Sequence, residues 1–217
     1  MASDGLLSAR TNPGRDLLAQ RVVEISPAVR QRAKAPTADR NATRLWEAAE
    51  AGEVATLTAL VDQGTDANAA DTWGRTACHL AAAHGHEAAV TALGERGARA
   101  DIADGLGRTA AHHAAQGGHT DIIRALYRIG GIACLDARDT DGCSPAHRAA
   151  AEGHGAVLAA LSHFDASMVL TDNDGCTPAH RAAMAGHQEL VRTLLDLGCD
   201  PAAVTNSCHT VMQWTEL

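Results

Sequence analysis

Twelve histidines and six cysteines stand in a 217-residue chain whose aromatic residues are one Phe, one Tyr and three Trp. Cys143 with His147, and Cys176 with His180, share a C-x-x-x-H spacing. Such pairs can supply zinc ligands, but a structural site wants four that converge. The same neighbours suggest a thiolate with an imidazole base, a nucleophile that also needs an oxyanion site. Gly105-Leu106-Gly107-Arg108-Thr109-Ala110 matches G-x-G-x-x-A, the dinucleotide fingerprint. That motif works between a strand and a helix inside a parallel-sheet unit, and no β-rich strand precedes it here. The elements that carry these residues therefore decide what they do.

Those elements repeat. Asp71-Thr72-Trp73-Gly74-Arg75-Thr76-Ala77-Cys78-His79 returns as Asp104-Gly105-Leu106-Gly107-Arg108-Thr109-Ala110-Ala111-His112. It comes again as Asp139-Thr140-Asp141-Gly142-Cys143-Ser144-Pro145-Ala146-His147, and as Asp172-Asn173-Asp174-Gly175-Cys176-Thr177-Pro178-Ala179-His180. The starting aspartates are 33, 35 and 33 residues apart. A period in this range marks stacked supersecondary units, each too thin to bury its own core.

Each unit reads as turn, helix, turn, helix. In the last one Gly175 allows a positive φ in the polar turn Asp172–Cys176. Thr177 is an N-cap, and Pro178 sits at the first helical position, where a missing amide hydrogen costs nothing. Gly186 stops the first helix. Leu190, Val191, Leu194 and Leu195 give the second helix one apolar face, and Gly198 ends it. Ser144-Pro145 repeats the cap one unit earlier, and Thr76 and Thr109 supply it before an Ala.

The phrase resembles that of the ankyrin-repeat family, D-x-x-G-x-T-P-L-H-x-A-A-x-x-G-H followed by V-x-x-L-L-x-x-G-A. It is matched four times with glycines and histidines in register, including Gly85-His86, Gly118-His119, Gly153-His154 and Gly186-His187. Thr43-Arg44-Leu45-Trp46, Gly52 and Gly64-Thr65-Asp66-Ala67-Asn68 form a weaker copy, similar to an N-terminal capping repeat. Thr205 begins a sixth copy, with Thr210 in the cap position. The resemblance implies an all-α solenoid of five repeats at 38–70, 71–103, 104–138, 139–171 and 172–204. A flexible arm (1–37) would precede it and a truncated cap (205–217) follow. It also implies that His79, His112, His147 and His180 tie the turns to the helices, which occupies their rings. On that reading the chain is not an enzyme and holds no metal or cofactor.

Departures from the pattern point to softer places. Gly94 and Ser162 stand where Leu195 gives an apolar side chain, and Asp165 replaces a turn glycine. An interior Gly costs about 1 kcal/mol relative to Ala. Two extra residues before Asp139 lengthen the loop leaving the third repeat. The second to fourth repeats are thus expected to be softer than the last.

Members of the family bind other proteins through hairpin tips and the exposed face of the first helices. Repeat position then places Trp73, Arg75, Leu106, Arg108, Asp141, Cys143, Asp174 and Cys176 at the tips, and His84, Gln116, Glu152 and Met184 on the helix face. The N-terminal half of this strip is basic with exposed Trp and Leu, and the C-terminal half is acidic. Trp and Arg are enriched at interface hot spots. The alternative for Trp73 is to fold back on a neighbouring hairpin. Arg148 and Arg181 follow the repeat histidines and suggest either a small anion site or pairing with acids such as Glu152.

The net charge of −8 is uneven: residues 1–40 hold seven Lys/Arg against four Asp/Glu, the remainder eleven against twenty-two. An acidic body argues against nucleic acid as the main partner. Cys143 and Cys176 are equivalent in successive repeats, which stack roughly 10 Å apart, beyond the reach of a disulfide. Reduced thiols fit a cytoplasmic or nuclear compartment. No run of eighteen apolar residues is present to span a membrane. No secretory signal is visible, so the acceptor-like Asn41-Ala42-Thr43 reads as chance. The N-terminal arm has breaks at Pro13, Pro27 and Pro36, and Leu18, Val22 and Ile25 share one helical face. Asp4, Asp16 and Glu24 argue against a mitochondrial presequence. The sequence thus predicts a non-catalytic adaptor, inhibitor or assembly factor, either monomeric or part of a hetero-complex. The alternative is a regulatory or targeting subunit of an enzyme or channel complex.

Overall fold

A computed structural model describes residues 40–200, 202–206 and 210–211. The expected flexible N-terminal arm, with the helical face of Leu18, Val22 and Ile25, and most of the expected C-terminal cap lie outside them. Among the described residues ten α-helices follow in pairs. They are α1 (Arg40–Ala51) with α2 (Val54–Asp62), α3 (Ala77–Ala83) with α4 (Glu87–Gly94), and α5 (Ala110–Gln116) with α6 (Thr120–Gly130). α7 (Pro145–Glu152) pairs with α8 (Gly155–His163), and α9 (Pro178–Met184) with α10 (Gln188–Asp196). The odd-numbered helices pack in series from α1 to α9, and α2, α4, α6 and α8 pack in series beside them. The chain is an all-α stack of two layers. Among the described residues its β-structure is two isolated bridges, Ala70 to Thr76 and Val204 to Thr210.

The first helices from α3 onward are only seven or eight residues long. A helix that short is unstable alone, so its stability comes from the stack. Thr76, Thr109, Ser144 and Thr177 hold extended backbone at their N-caps and form capping boxes with the histidine three residues on. Alanines such as Ala110, Ala111, Ala114 and Ala115 are buried along α5. Their small side chains let neighbouring helices approach closely. The larger apolar residues come mainly from the second helices, among them Leu57, Leu93, Leu126, Leu158 and Leu194. Each such burial is worth about 1.5–3 kcal/mol.

Two expected weak points look different in place. At Gly94 a Cβ would collide with Cδ1 of Ile129. The slot is filled from the next repeat, so this glycine makes room for Ile129. The two extra residues of the third repeat do not simply lengthen a loop. α6 reaches eleven residues and is followed by a 3-10 turn, Ile132–Cys134, which buries Cys134 and Leu135. Asp165 does carry the strain its position implied: its φ is 59°, and among the described residues no other non-glycine has a positive φ. Asp165→Gly is therefore expected to stabilise the chain by about 0.5–1 kcal/mol. Thermal melting should show a rise of about 1–4 °C; an unchanged or lower midpoint would remove the strain argument.

Candidate partner-binding surface

Every hairpin is organised by its leading aspartate. Asp71 Oδ1 accepts from the amides of Trp73 and Arg75, both at 2.8 Å. Asp104 does the same for Leu106 and Arg108 at 2.9 and 3.0 Å. Asp139 accepts from Asp141 and Cys143, and Asp172 from Asp174 and Cys176, all at 2.9 Å. The second oxygen takes a cation, and its source changes along the stack. Asp71 and Asp104 use an arginine four residues on, Arg75 Nε at 2.8 Å and Arg108 Nε at 3.1 Å. Asp139 and Asp172 use an arginine nine residues on, Arg148 Nε at 3.0 Å and Arg181 Nε at 2.6 Å. Where the arginine comes from the helix, the hairpin position becomes cysteine. The ion pair is kept while its donor moves.

This exchange corrects two expectations. Cys143 and Cys176 are buried rather than offered at the tips, because the helix arginines close over the hairpin where Arg75 and Arg108 stand in earlier repeats. Arg148 and Arg181 pair with hairpin aspartates and not with Glu152. They also reach the exposed Asp141 and Asp174, each at 3.1 Å. Their charge is thereby engaged within the chain, which leaves no free anion site at this pair.

The tips form a continuous row. The amide of Gly105 donates to the carbonyl of Trp73 at 2.7 Å, and that of Thr140 to Leu106 at 3.0 Å. The amides of Asn173 and Asn206 donate to Asp141 and Asp174, both at 3.0 Å. A Cβ at Gly105 would lie 2.9 Å from the Trp73 carbonyl oxygen. The fingerprint-like glycines therefore serve the approach of one hairpin to the next. Trp73 is 67% and Leu106 50% exposed at adjacent tips. The Trp73 ring does not fold onto its neighbour; it lies 4.7 Å beneath the guanidinium of Arg75, in its own hairpin. His84, Gln116, Glu152 and Met184 are exposed at the C-terminal ends of α3, α5, α7 and α9.

The histidines are structural ties. His79 Nδ1 accepts from the Thr76 amide at 3.1 Å, and Nε2–H donates to the carbonyl of Arg108 at 3.1 Å. His112 and His147 reach Cys143 and Cys176 in the same way at 2.9 Å, and His180 reaches Ala203 at 3.0 Å. Trp46 replaces the first histidine and donates Nε1–H to Ala69 at 3.0 Å. Burial pushes the pKa of His79 and of His112 down to about 4. The second set reaches backwards: His86, His119, His154 and His187 donate to the carbonyls of Glu50, Ala83, Gln116 and Ala151. Their rings fill space beside preceding glycines. A Cβ at Gly85, where φ is 81°, would lie 2.8 Å from His119.

Sequence reasoning missed His113, whose Nε2 lies 3.0 Å from Asp104 Oδ2. Burial raises the Asp104 carboxyl, but the hydrogen bond from His113, two backbone amides and the Arg108 charge outweigh it and hold it well below the usual carboxylate range. The equivalence of His113 with Arg148 and Arg181 was the available signal. The five thiols among the described residues are not poised for chemistry. Cys78, Cys134, Cys143, Cys176 and Cys199 are free and buried, and burial pushes Cys78 and Cys143 up to about 12. Among the described residues no three His, Cys, Asp or Glu side chains converge as metal ligands. No helix there is long and apolar enough to cross a membrane.

Residues 45–134 and 131–205 match the family model described as ankyrin repeats (3 copies). The chain belongs to the ankyrin-repeat family. Ankyrin repeats are generally protein–protein interaction modules, and their partners are proteins. No curated protein matches the sequence at a significant level. Within the ankyrin stack, the invariant hairpin and helix positions are engaged with one another. What varies and remains exposed is the row of tips and helix ends.

Proposed function

We propose that this ankyrin stack acts as a non-catalytic adaptor, inhibitor or assembly factor in a cytoplasmic or nuclear compartment. Its tip row captures an amphipathic segment of a protein partner. The observation that carries this is the adjacent exposure of Trp73 and Leu106 on hairpins joined by a backbone hydrogen bond. Large apolar side chains at polar turns lose free energy by staying in water. Arg75 and Arg108 brace these tips through Asp71 and Asp104, and their partly exposed guanidiniums border the apolar pair. Asp141 and Asp174 extend the row as an acidic end, with Met184 beyond.

Trp73→Ala with Leu106→Ala is expected to weaken partner capture by at least about tenfold, the scale of a lost hot spot. Its melting temperature should stay within about 2 °C of wild type, since neither side chain is part of the core. Affinity purification followed by quantitative mass spectrometry, alongside a thermal melt, makes the comparison. Capture that survives the double change, or that falls only in step with stability, would contradict the reading.

A further inference from the structure

A second surface lies on the layer of even-numbered helices. α6 and α8 leave an open groove of about 480 Å³ between them. Its floor is Ala156 and Ala160, one turn apart on α8, where side chains stop at Cβ. One wall is α6, with Arg124 and Arg128 also one turn apart. The end is closed by the chain's single Tyr and single Phe: Tyr127 and Phe164 stack with centroids 4.4 Å apart. His163 packs edge-on against Phe164 at 5.1 Å.

The charge of this groove runs against that of the molecule. After residue 40 the chain has eleven arginines and twenty-two acidic residues. Eight of those arginines are ion-paired with Asp or Glu of the same chain. Arg138 donates to the carbonyls of Gly142 and Thr171. Arg128, and Arg44 at a smaller recess beside α2, have no acidic partner among the described residues. Arg124 holds only Asp121, at 3.3 Å, and both side chains are more than half exposed. Such an exposed pair is readily exchanged for a better-placed carboxylate.

We propose that this groove docks an acidic segment of a protein partner. Its carboxylates would sit between Arg124 and Arg128, and an apolar side chain would lie on Ala156 and Ala160 against the aromatic pair. The occupant is argued from charge. The acidic balance of residues 41–217 repels such a segment and favours a recess that presents two arginines one turn apart. Residues 1–40 of this chain carry seven Lys/Arg against four Asp/Glu, the wrong sign to fill it. This docking does not depend on the tip row, so either can fail alone.

The test uses the full chain and a fluorescent peptide about twelve residues long built from Glu-Leu-Glu-Glu repeats, read by fluorescence anisotropy. Expected are saturable binding that weakens with salt, and about tenfold or greater loss in Arg128→Ala and in Arg124→Ala. Loss is also expected when the glutamates become glutamines, with no change in Trp73→Ala. Both arginines are exposed, and unchanged melting curves will show that the variants fold. No saturable binding, binding that Arg128→Ala leaves within about twofold, or equal binding of the glutamine peptide would overturn the proposal. Self-association of the chain that Arg128→Ala abolishes would assign the groove to a second copy, and would overturn it too.

Discussion

Lowering the pH from 7 to 4.5 is expected to strip a large part of the stability from this protein. The burden falls on the buried histidines of the capping boxes. Folded, His79 and His112 titrate near 4 because burial disfavours the charged ring; unfolded, they titrate near 6.5. The unfolded chain therefore binds more protons between those values. The stabilisation is fully present above about pH 6.5 and is lost as pH falls towards 4. At about 1.4 kcal/mol per pKa unit, each ring accounts for about 3 kcal/mol. His147 is shifted in the same direction for the same reason. The geometry agrees: Nδ1 accepts from a backbone amide in each box, and a protonated ring would aim a donor at a donor. Melts across this range should fall by about 10–20 °C. Below about pH 4 the depressed carboxyl of Asp104 adds its own loss as it is forced to protonate. A melting temperature flat from pH 7 to 4.5 would show that the rings are not held neutral by the fold.

The second large effect separates two aspartates on one arginine. Arg181 meets both Asp172 and Asp174, but the Asp172 side chain is fully buried and that of Asp174 is 73% exposed. Asp172→Ala removes the acceptor for two hairpin amides and leaves Arg181 without its buried partner. It is expected to cost about 3–4 kcal/mol. Asp174→Ala breaks an exposed contact and should cost no more than about 0.5 kcal/mol. Urea unfolding of both variants gives the comparison. Equal losses would mean that the hairpin is held by the exposed pair or by neither.

The legible parts of this molecule were local. Thr177-Pro178, the turn glycines and the Gly-His pairs announce helix starts and stops because caps and positive φ depend on a few neighbouring residues. The pairing of Arg148 was less legible. Glu152 stands four residues away on the same helix and is the natural helical guess. The hairpin instead folds back so that Asp139, nine residues earlier, meets the guanidinium. Burial of Cys143 and Cys176 follows from the same fold-back, since one position holds an exposed arginine or a covered cysteine according to where the cation comes from. Gly94 read as a flaw because the residue that fills it, Ile129, belongs to the next repeat. The groove beside Tyr127 and Phe164 was invisible for a related reason: its walls lie 37 residues apart in the chain and meet only in the stack.

The division of labour is thus between fixed residues that hold the hairpins and variable tips that face outward. Amide hydrogen exchange of the full chain, alone and with its captured partner, tests this most directly. The account predicts protection gained on binding across residues 72–75 and 105–108, the tips bearing Trp73 and Leu106. Protection confined to other surfaces, with these two tips exchanging as in the free chain, would contradict it.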